Sequence, residues 1–190
     1  MTNSDESCGH AVFETALGFV GIAWGDKGLK RLCLPERDRE SVERRLARHD
    51  AGPAVFPQHQ PVWIIELVRS IVAYAKGAHV DFSTVPVDLQ GIDDFRMAIY
   101  ASARDLRFGE STTYGELAMK AGHAGLARET GAALGANPVP LVIPCHRILA
   151  AGGKIGGFSA PGGSVTKTRM LAIEGVRVGP PPAAQQSFGF

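Results

Sequence analysis

Two short apolar runs, Phe19 to Trp24 and Leu29 to Leu34, stand on either side of Gly25-Asp26-Lys27-Gly28. A polar, glycine-bounded break of that length folds a chain back on itself, so residues 19–34 are predicted to form an antiparallel hairpin. Arg39 to His49 is strongly charged with Val42 and Leu46 four apart, the pattern of an exposed amphipathic helix. Ala51 to Pro61 holds three prolines and a glycine and reads as a loop. Pro61 then opens a second helix, Val62 to Lys76, with Gly77 at its stop. The first half therefore reads as a small α+β unit ending near Val87-Asp88-Leu89.

The second half is built of shorter pieces. Asp93 or Asp94 caps a helix over Phe95 to Leu106, with Phe95, Ile99 and Leu106 facing a core. Thr113-Tyr114-Gly115-Glu116 matches a capping box, in which Thr113 and Glu116 satisfy each other's backbone amides at the start of a helix reaching Lys120. Gly122 to Gly125 breaks it, and another helix runs from about Leu126 to Gly135. Such a pair is equally a helix-turn-helix and an ordinary helical hairpin. Leu141-Val142-Ile143 reads as a brief buried strand or extended segment ending at Pro144. Gly152 to Gly163 holds six glycines and reads as a loop of close approach, and Ser164 to Glu174 as a last helix. From Gly179 onward the composition suggests a frayed tail.

A chain of 190 residues accommodates one or two compact units, and 45% apolar with 21% charged residues is ordinary for a globular protein. No run approaches the roughly 18 apolar residues of a membrane span. Met1 to Gly9 is polar and acidic, without the order of a signal peptide, so an intracellular, cytoplasmic protein is expected. Three cysteines, Cys8, Cys33 and Cys145, are widely spaced, which argues against a disulfide framework and for reduced thiols. Residues 1–90 hold ten Lys/Arg against twelve Asp/Glu, and residues 91–190 ten against seven. The second half is the better candidate for a polyanion contact, by a small margin.

Cys145 is the residue with the most chemistry around it. A thiolate is a soft nucleophile suited to a saturated carbon, and forming it near neutral pH needs a base or a positive field. His146 and Arg147 offer both. Against this stands the reading of a buried cysteine on a strand from Leu141 to Ile148. Neighbours in a strand point to opposite faces, so His146 reaches the sulfur only if the chain turns there or a water links the two.

The segment Asn137-Pro138-Val139-Pro140-Leu141-Val142-Ile143-Pro144-Cys145-His146-Arg147 resembles the active-site signature of the O6-alkylguanine-DNA alkyltransferases. Gly109 to Tyr114, Ala127-Arg128, Gly131, the glycine loop with Ser159, and Glu174-Gly175 are similar to that family in order and spacing, over roughly residues 91–178. The resemblance implies an α+β fold. A small N-terminal domain with an antiparallel sheet, ribonuclease H-like, would cover residues 1–90. A mostly helical C-terminal domain with a winged helix-turn-helix-like motif would cover 91–178, with a flexible tail over 179–190.

By the same resemblance Cys145 accepts an alkyl group irreversibly, His146 is a water-mediated base, and Glu174 orients His146. Asn137 supports the turn into the cysteine segment, and Tyr114 donates to the guanine N3. Arg128 fills the stack vacated by a flipped nucleotide, and Thr113, Tyr114, Ala127 and Gly131 meet the DNA, in the minor groove. Ser159, Ile148, Gly156, Phe158 and Arg147 form the base pocket, with the carbonyls of Cys145 and Ile148 taking the exocyclic amine. The implied partner is duplex DNA carrying alkylated guanine, or O4-alkylthymine, met by a monomer without a cofactor and without a membrane.

The sequence departs from the family at several points. Glu129 sets a negative charge beside Arg128, Phe158 replaces a usual tyrosine, and Arg96, Tyr100 and Arg107 replace the more usual Gln, Trp and Pro. The glycine loop is about two residues longer before Lys167. These bear on DNA affinity and substrate range more than on the thiol. Cys8, His10, Cys33 and His79 include no close Cys pair of structural-zinc type, so no metal is expected. Three other readings compete: a non-catalytic alkyltransferase-like lesion binder, which would lack the thiol; a transcription factor, which would carry base-reading side chains where Ala and Gly stand here; and a cysteine hydrolase.

Overall fold

The computed structural model describes residues 8–49 and 51–178, so the tail from Gly179 and most of the acidic leader lie outside the described residues. Three antiparallel strands open the chain, β1 (Gly9–Thr15), β2 (Gly18–Gly25) and β3 (Gly28–Glu36), in the order β1-β2-β3. The hairpin read from the two apolar runs is β2–β3. Gly28 at its turn has φ +130°, and a Cβ there would lie 2.6 Å from the Pro86 carbonyl, so no other residue fits. β1 carries no clear alternation that marks it as a strand in the sequence; it is held by full-length pairing with β2, from Gly9↔Trp24 to Thr15↔Gly18.

Helix α1 (Arg39–Ala47) starts where the Asp38 carboxylate accepts from the Ser41 amide at 2.7 Å, and it packs Val42 and Leu46 on the sheet. Helix α2 (Val62–Ala75) buries Ile64, Leu67, Ile71 and Tyr74 on one face. Each aliphatic side chain so buried contributes about 1.5–3 kcal/mol. Asp93, rather than Asp94, caps α3 (Asp94–Arg104) by accepting from the Arg96 amide at 2.9 Å.

The capping box is present: Thr113 and Glu116 bond reciprocally at the start of α4 (Tyr114–Lys120). A glycine-containing turn leads to α5 (Ala127–Gly135), which the buried Tyr100 ties to α3 by donating to the Ala133 carbonyl at 2.8 Å. Two-residue strands β4 (Thr112–Thr113) and β5 (Ile148–Leu149) pair in parallel, fixing the start of α4 beside the segment that follows Cys145. Helix α6 (Ser164–Ile173) closes the described chain.

Leu141 to Ile143, which reads from sequence as a brief strand or extended segment, is instead a turn. Leu141 has φ +76°, the Asn137 amide donates to the Ile143 carbonyl at 2.8 Å, and Asn137 Oδ1 accepts from the Val139 amide at 3.0 Å. The asparagine satisfies backbone groups that a strand neighbour would otherwise pair, so the apolar run stays buried without a sheet. One continuous buried cluster joins Ile22, Trp24, Leu32 and Tyr74 from the first half to Ile99, Val139, Ile143, Cys145 and Met170 from the second. At the same junction the Leu32 amide donates to the Pro138 carbonyl at 3.0 Å.

Candidate active site

Cys145, His146 and Arg147 form a single 3-10 turn, entered through a bond from the Cys145 amide to the Ile143 carbonyl. Three residues per turn send successive side chains off in different directions. The strand-geometry difficulty therefore disappears: the chain turns at the cysteine, and the histidine faces inward while the sulfur lines a cavity. All three side chains are buried, His146 completely.

Behind the turn lies Glu174, the residue that caps the C-terminal end of α6. Its Oε1 accepts from His146 Nε2 at 2.8 Å, Arg147 Nη2 at 3.0 Å and the Tyr74 hydroxyl at 3.0 Å. Its Oε2 accepts from Arg147 Nε at 2.8 Å and the Gly109 amide at 3.3 Å. Burial alone would raise this carboxyl, but the bonds and charges of His146 and Arg147 outweigh it and pull it down to about 2. Burial also lowers the His146 pKa, against the pull of Glu174, so the imidazole is neutral.

That pair of conditions fixes the tautomer. An ionised carboxylate can only accept, so Nε2 carries the proton and Nδ1 carries the lone pair. Nδ1 is buried and has no hydrogen-bond partner among the described residues. A base with its lone pair unoccupied therefore stands one residue from the thiol.

The thiol itself is pushed up to about 11 by burial, with the Asn137 side chain, the Lys167 charge and the amides of Cys145 and His146 pulling the other way. At rest it holds its proton. The positive charge of Arg147, close to Cys145 in sequence, does not face the sulfur. Its guanidinium is turned to Glu174 and, through Nη1 at 2.6 Å, to the Leu106 carbonyl. Arg147 lines neither cavity at Cys145.

The cation on the thiol's side is Lys167 of α6, to which the sequence alone assigns no role. It is fully buried and has no carboxylate partner among the described residues. Its Nζ donates to the Ile148 carbonyl at 2.5 Å, lies 3.5 Å from the Tyr114 hydroxyl, and sits over the rings of Tyr114 and Phe158. Burial lowers it to about 8, offset in part by Cys145. The available signal was its spacing: Lys167, Met170, Leu171 and Glu174 share one face of α6, an apolar stripe with a charge at each end. Ile148 is buried on β5, its carbonyl already engaged by that lysine.

Two cavities meet at Cys145. One, of about 450 Å³, is walled by Ala127, Arg128 and Gly131 of α5, by Tyr114, and by Gly156, Phe158 and Ser159 of the glycine loop. Gly156 has φ +67°, and a Cβ there would meet the Tyr114 ring at 3.3 Å, so glycine lets the loop close on the tyrosine. The Tyr114 hydroxyl donates to the Gly157 carbonyl at 3.3 Å, and burial holds its pKa above the usual phenol, so it stays a donor. Ser159 donates to the Gly135 carbonyl at 3.1 Å. Arg128 and Glu129 are both exposed at the start of α5. The Thr113 hydroxyl is engaged in the capping box. The other cavity, of about 210 Å³, opens toward Arg31, Arg45 and His49 and is lined by Asn137.

Among the described residues no group of three His, Cys, Asp or Glu is placed to hold a metal. Cys8 is exposed, Cys33 is buried on β3, His10 bonds the Gly52 carbonyl, and His79 packs on Phe108. No described helix is long and apolar enough to cross a membrane.

Residues 94–176 match the family model for the 6-O-methylguanine DNA methyltransferase DNA-binding domain. The chain is 34% identical to a methylated-DNA–protein-cysteine methyltransferase of Methanothermobacter thermautotrophicus, over 83% of this chain and 80% of that one. It is 41% identical to the Mus musculus protein of the same name, over 90% and 83% of the two. The crystal structure of Mycobacterium tuberculosis O6-methylguanine methyltransferase superposes with a TM-score of 0.69 at 28% identity, covering 88% of this chain and 92% of that one. A structure of the mycobacterial protein in complex with DNA gives the same score at 87% and 91% coverage. With that agreement over most of both chains, the protein belongs to the methylated-DNA–protein-cysteine methyltransferase family.

Proposed function

We propose that this protein repairs DNA by direct reversal, transferring the alkyl group of O6-alkylguanine to Cys145 in a single irreversible turnover. The observation that carries the reading is the position of the sulfur. It lies on the wall of the α5 cavity, with a neutral histidine base and its carboxylate sealed directly behind it.

The residues supply each part of the reaction. A water between His146 Nδ1 and the sulfur passes the thiol proton to the imidazole, and Glu174 stabilises the imidazolium that forms. The thiolate attacks the alkyl carbon, an S–C bond forms, and the C–O6 bond breaks with its electron pair going to the guanine. Tyr114 donates to N3 as that charge develops, and Lys167 faces the nascent thiolate. The thioether product has no leaving route, so each chain acts once. Ser159 contacts O6. The second lone pair of the Ile148 carbonyl, left free by Lys167, takes the exocyclic amine.

Duplex DNA is the partner on this reading, and a nucleotide flipped out of the stack reaches the sulfur through the α5 cavity. Arg128 enters the vacated stack, Asn137 supports the turn into the cysteine segment, and Ala127 and Gly131 allow close approach in the minor groove. The α4–α5 pair serves as a winged helix-turn-helix-like motif. Residues 1–90 form a ribonuclease H-like unit, residues 91–178 carry the chemistry, and the protein acts as an intracellular monomer.

The test is incubation with duplex DNA bearing labelled O6-methylguanine, followed by intact-protein mass measurement. One methyl group is gained at Cys145, and none by Cys145→Ala. Repeated turnover, or binding without transfer, would overturn the reading.

A further inference from the structure

Five hydrogen bonds converge on the Glu174 carboxylate, and four of them come from the second half of the chain. The fifth is from the Tyr74 hydroxyl on α2, a hundred residues earlier in sequence. Tyr74 is 2% exposed. Its ring is held edge-on by Phe82 at 5.9 Å and Phe108 at 6.2 Å, and its hydroxyl also lies 3.4 Å from the Met170 carbonyl. An apolar side chain would fill that space as well. The shorter of the hydroxyl's two bonds goes to a charged acceptor, the oxygen that also accepts from His146 Nε2.

We propose that Tyr74 is a positioning residue for alkyl transfer, through which the N-terminal half sets the basicity of the His146–Glu174 relay. An oxygen shared among three donors is a weaker acceptor for each of them. Without the Tyr74 hydroxyl, Oε1 pulls harder on the Nε2 proton, the imidazolium becomes more favourable, and His146 takes up a proton at higher pH. The phenol is suited to the task. Burial and the neighbouring carboxylate hold its pKa far above the usual range, so it remains a neutral donor throughout.

Other charges around the pair come from Arg147 on the 3-10 turn, Lys167 on α6, and Asp81, which faces Arg147 from the segment before α3. Among the described residues, Cys145 on the 3-10 turn and His79, beside Asp81 on the same cavity wall as Arg147, stand next to these groups, and Tyr74→Phe alters none of them. The inference rests on the transfer reaction proposed above and assigns the N-terminal half a direct part in it.

The experiment is single-turnover transfer from duplex DNA carrying O6-methylguanine, across roughly pH 5 to 9, for the native protein and Tyr74→Phe. Phenylalanine keeps the ring contacts. The acid limb of the rate profile moves up by about half to one pH unit, and at a fixed pH on that limb the rate falls about three- to tenfold, the same shift read as a rate. Affinity for unmodified duplex stays the same. In a Glu174→Gln background the same substitution adds nothing. Fluorotyrosine at position 74, a stronger donor that preserves the fold, moves the acid limb down. A profile for Tyr74→Phe that superimposes on the native one, whatever happens to Tm, overturns the proposal. So does a fluorotyrosine profile that stays in place, or independent, multiplying effects of Tyr74→Phe and Glu174→Gln. Failure of the native protein to transfer at all would instead refute the function.

Discussion

The two sides of Cys145 are built in opposite ways. On the α5 side the wall is small and open: Ala127 and Gly131 leave room, Arg128 is exposed, and water can reach most polar groups. On the relay side His146, Arg147, Glu174 and Tyr74 are sealed, and every oxygen of the carboxylate is answered by at least two donors. Water can replace a lost partner on the first side and cannot on the second. Residues on the open face should therefore act singly and weakly, whereas those of the relay should act as a unit.

The largest effect expected from that contrast is Glu174→Ala. It leaves the buried Arg147 guanidinium without its counter-charge, which costs about 3–5 kcal/mol in a denaturant titration and abolishes transfer. The same carboxylate gives a pH signature. Its folded pKa of about 2 lies below the ordinary 4.5, so its contribution is complete above 4.5 and is lost as pH falls toward 2. Acid unfolding curves of the native protein and Glu174→Gln should converge across that window, and parallel curves would break the comparison.

Lys167→Met comes next and separates chemistry from stability. The ammonium is buried against a carbonyl and two rings without an acid, so its removal leaves stability unchanged or higher. Single-turnover transfer falls about tenfold or more, because the positive charge facing the thiolate is gone. Transfer at the native rate would place Lys167 with the passive packing of α6.

The smallest effect belongs to the open face. Glu129→Gln removes a negative charge beside Arg128 and raises affinity for duplex DNA about two- to fivefold at low salt, a gain that shrinks as salt rises. A gain that persists at high salt would mean that Glu129 acts by shape or direct contact, and the distinction between the two sides would blur.

The parts of the fold legible in sequence are those whose cause is local. Asp93 caps its helix, Thr113 and Glu116 close their box, and Gly25 to Gly28 turns the hairpin, each within a few residues of the groups it satisfies. β1 escaped because its register is supplied by β2, and the three apolar residues from Leu141 escaped because Asn137, not a strand neighbour, satisfies their backbone. In the site, Cys145, His146 and Glu174 were legible as a set through the family signature. Arg147 was assigned to the wrong neighbour, since adjacency along a chain says nothing of where a long side chain ends.

By itself the sequence determined the element types, the nucleophile and the kind of base beside it, because residue chemistry and short-range spacing carry those. The tertiary structure alone decided which positive charge faces the sulfur, which histidine nitrogen is left free, and that a tyrosine from α2 completes the carboxylate's shell. These depend on burial and on contacts between residues as much as a hundred positions apart, where hydrogen bonds and desolvation, rather than order in the chain, set the state of each group.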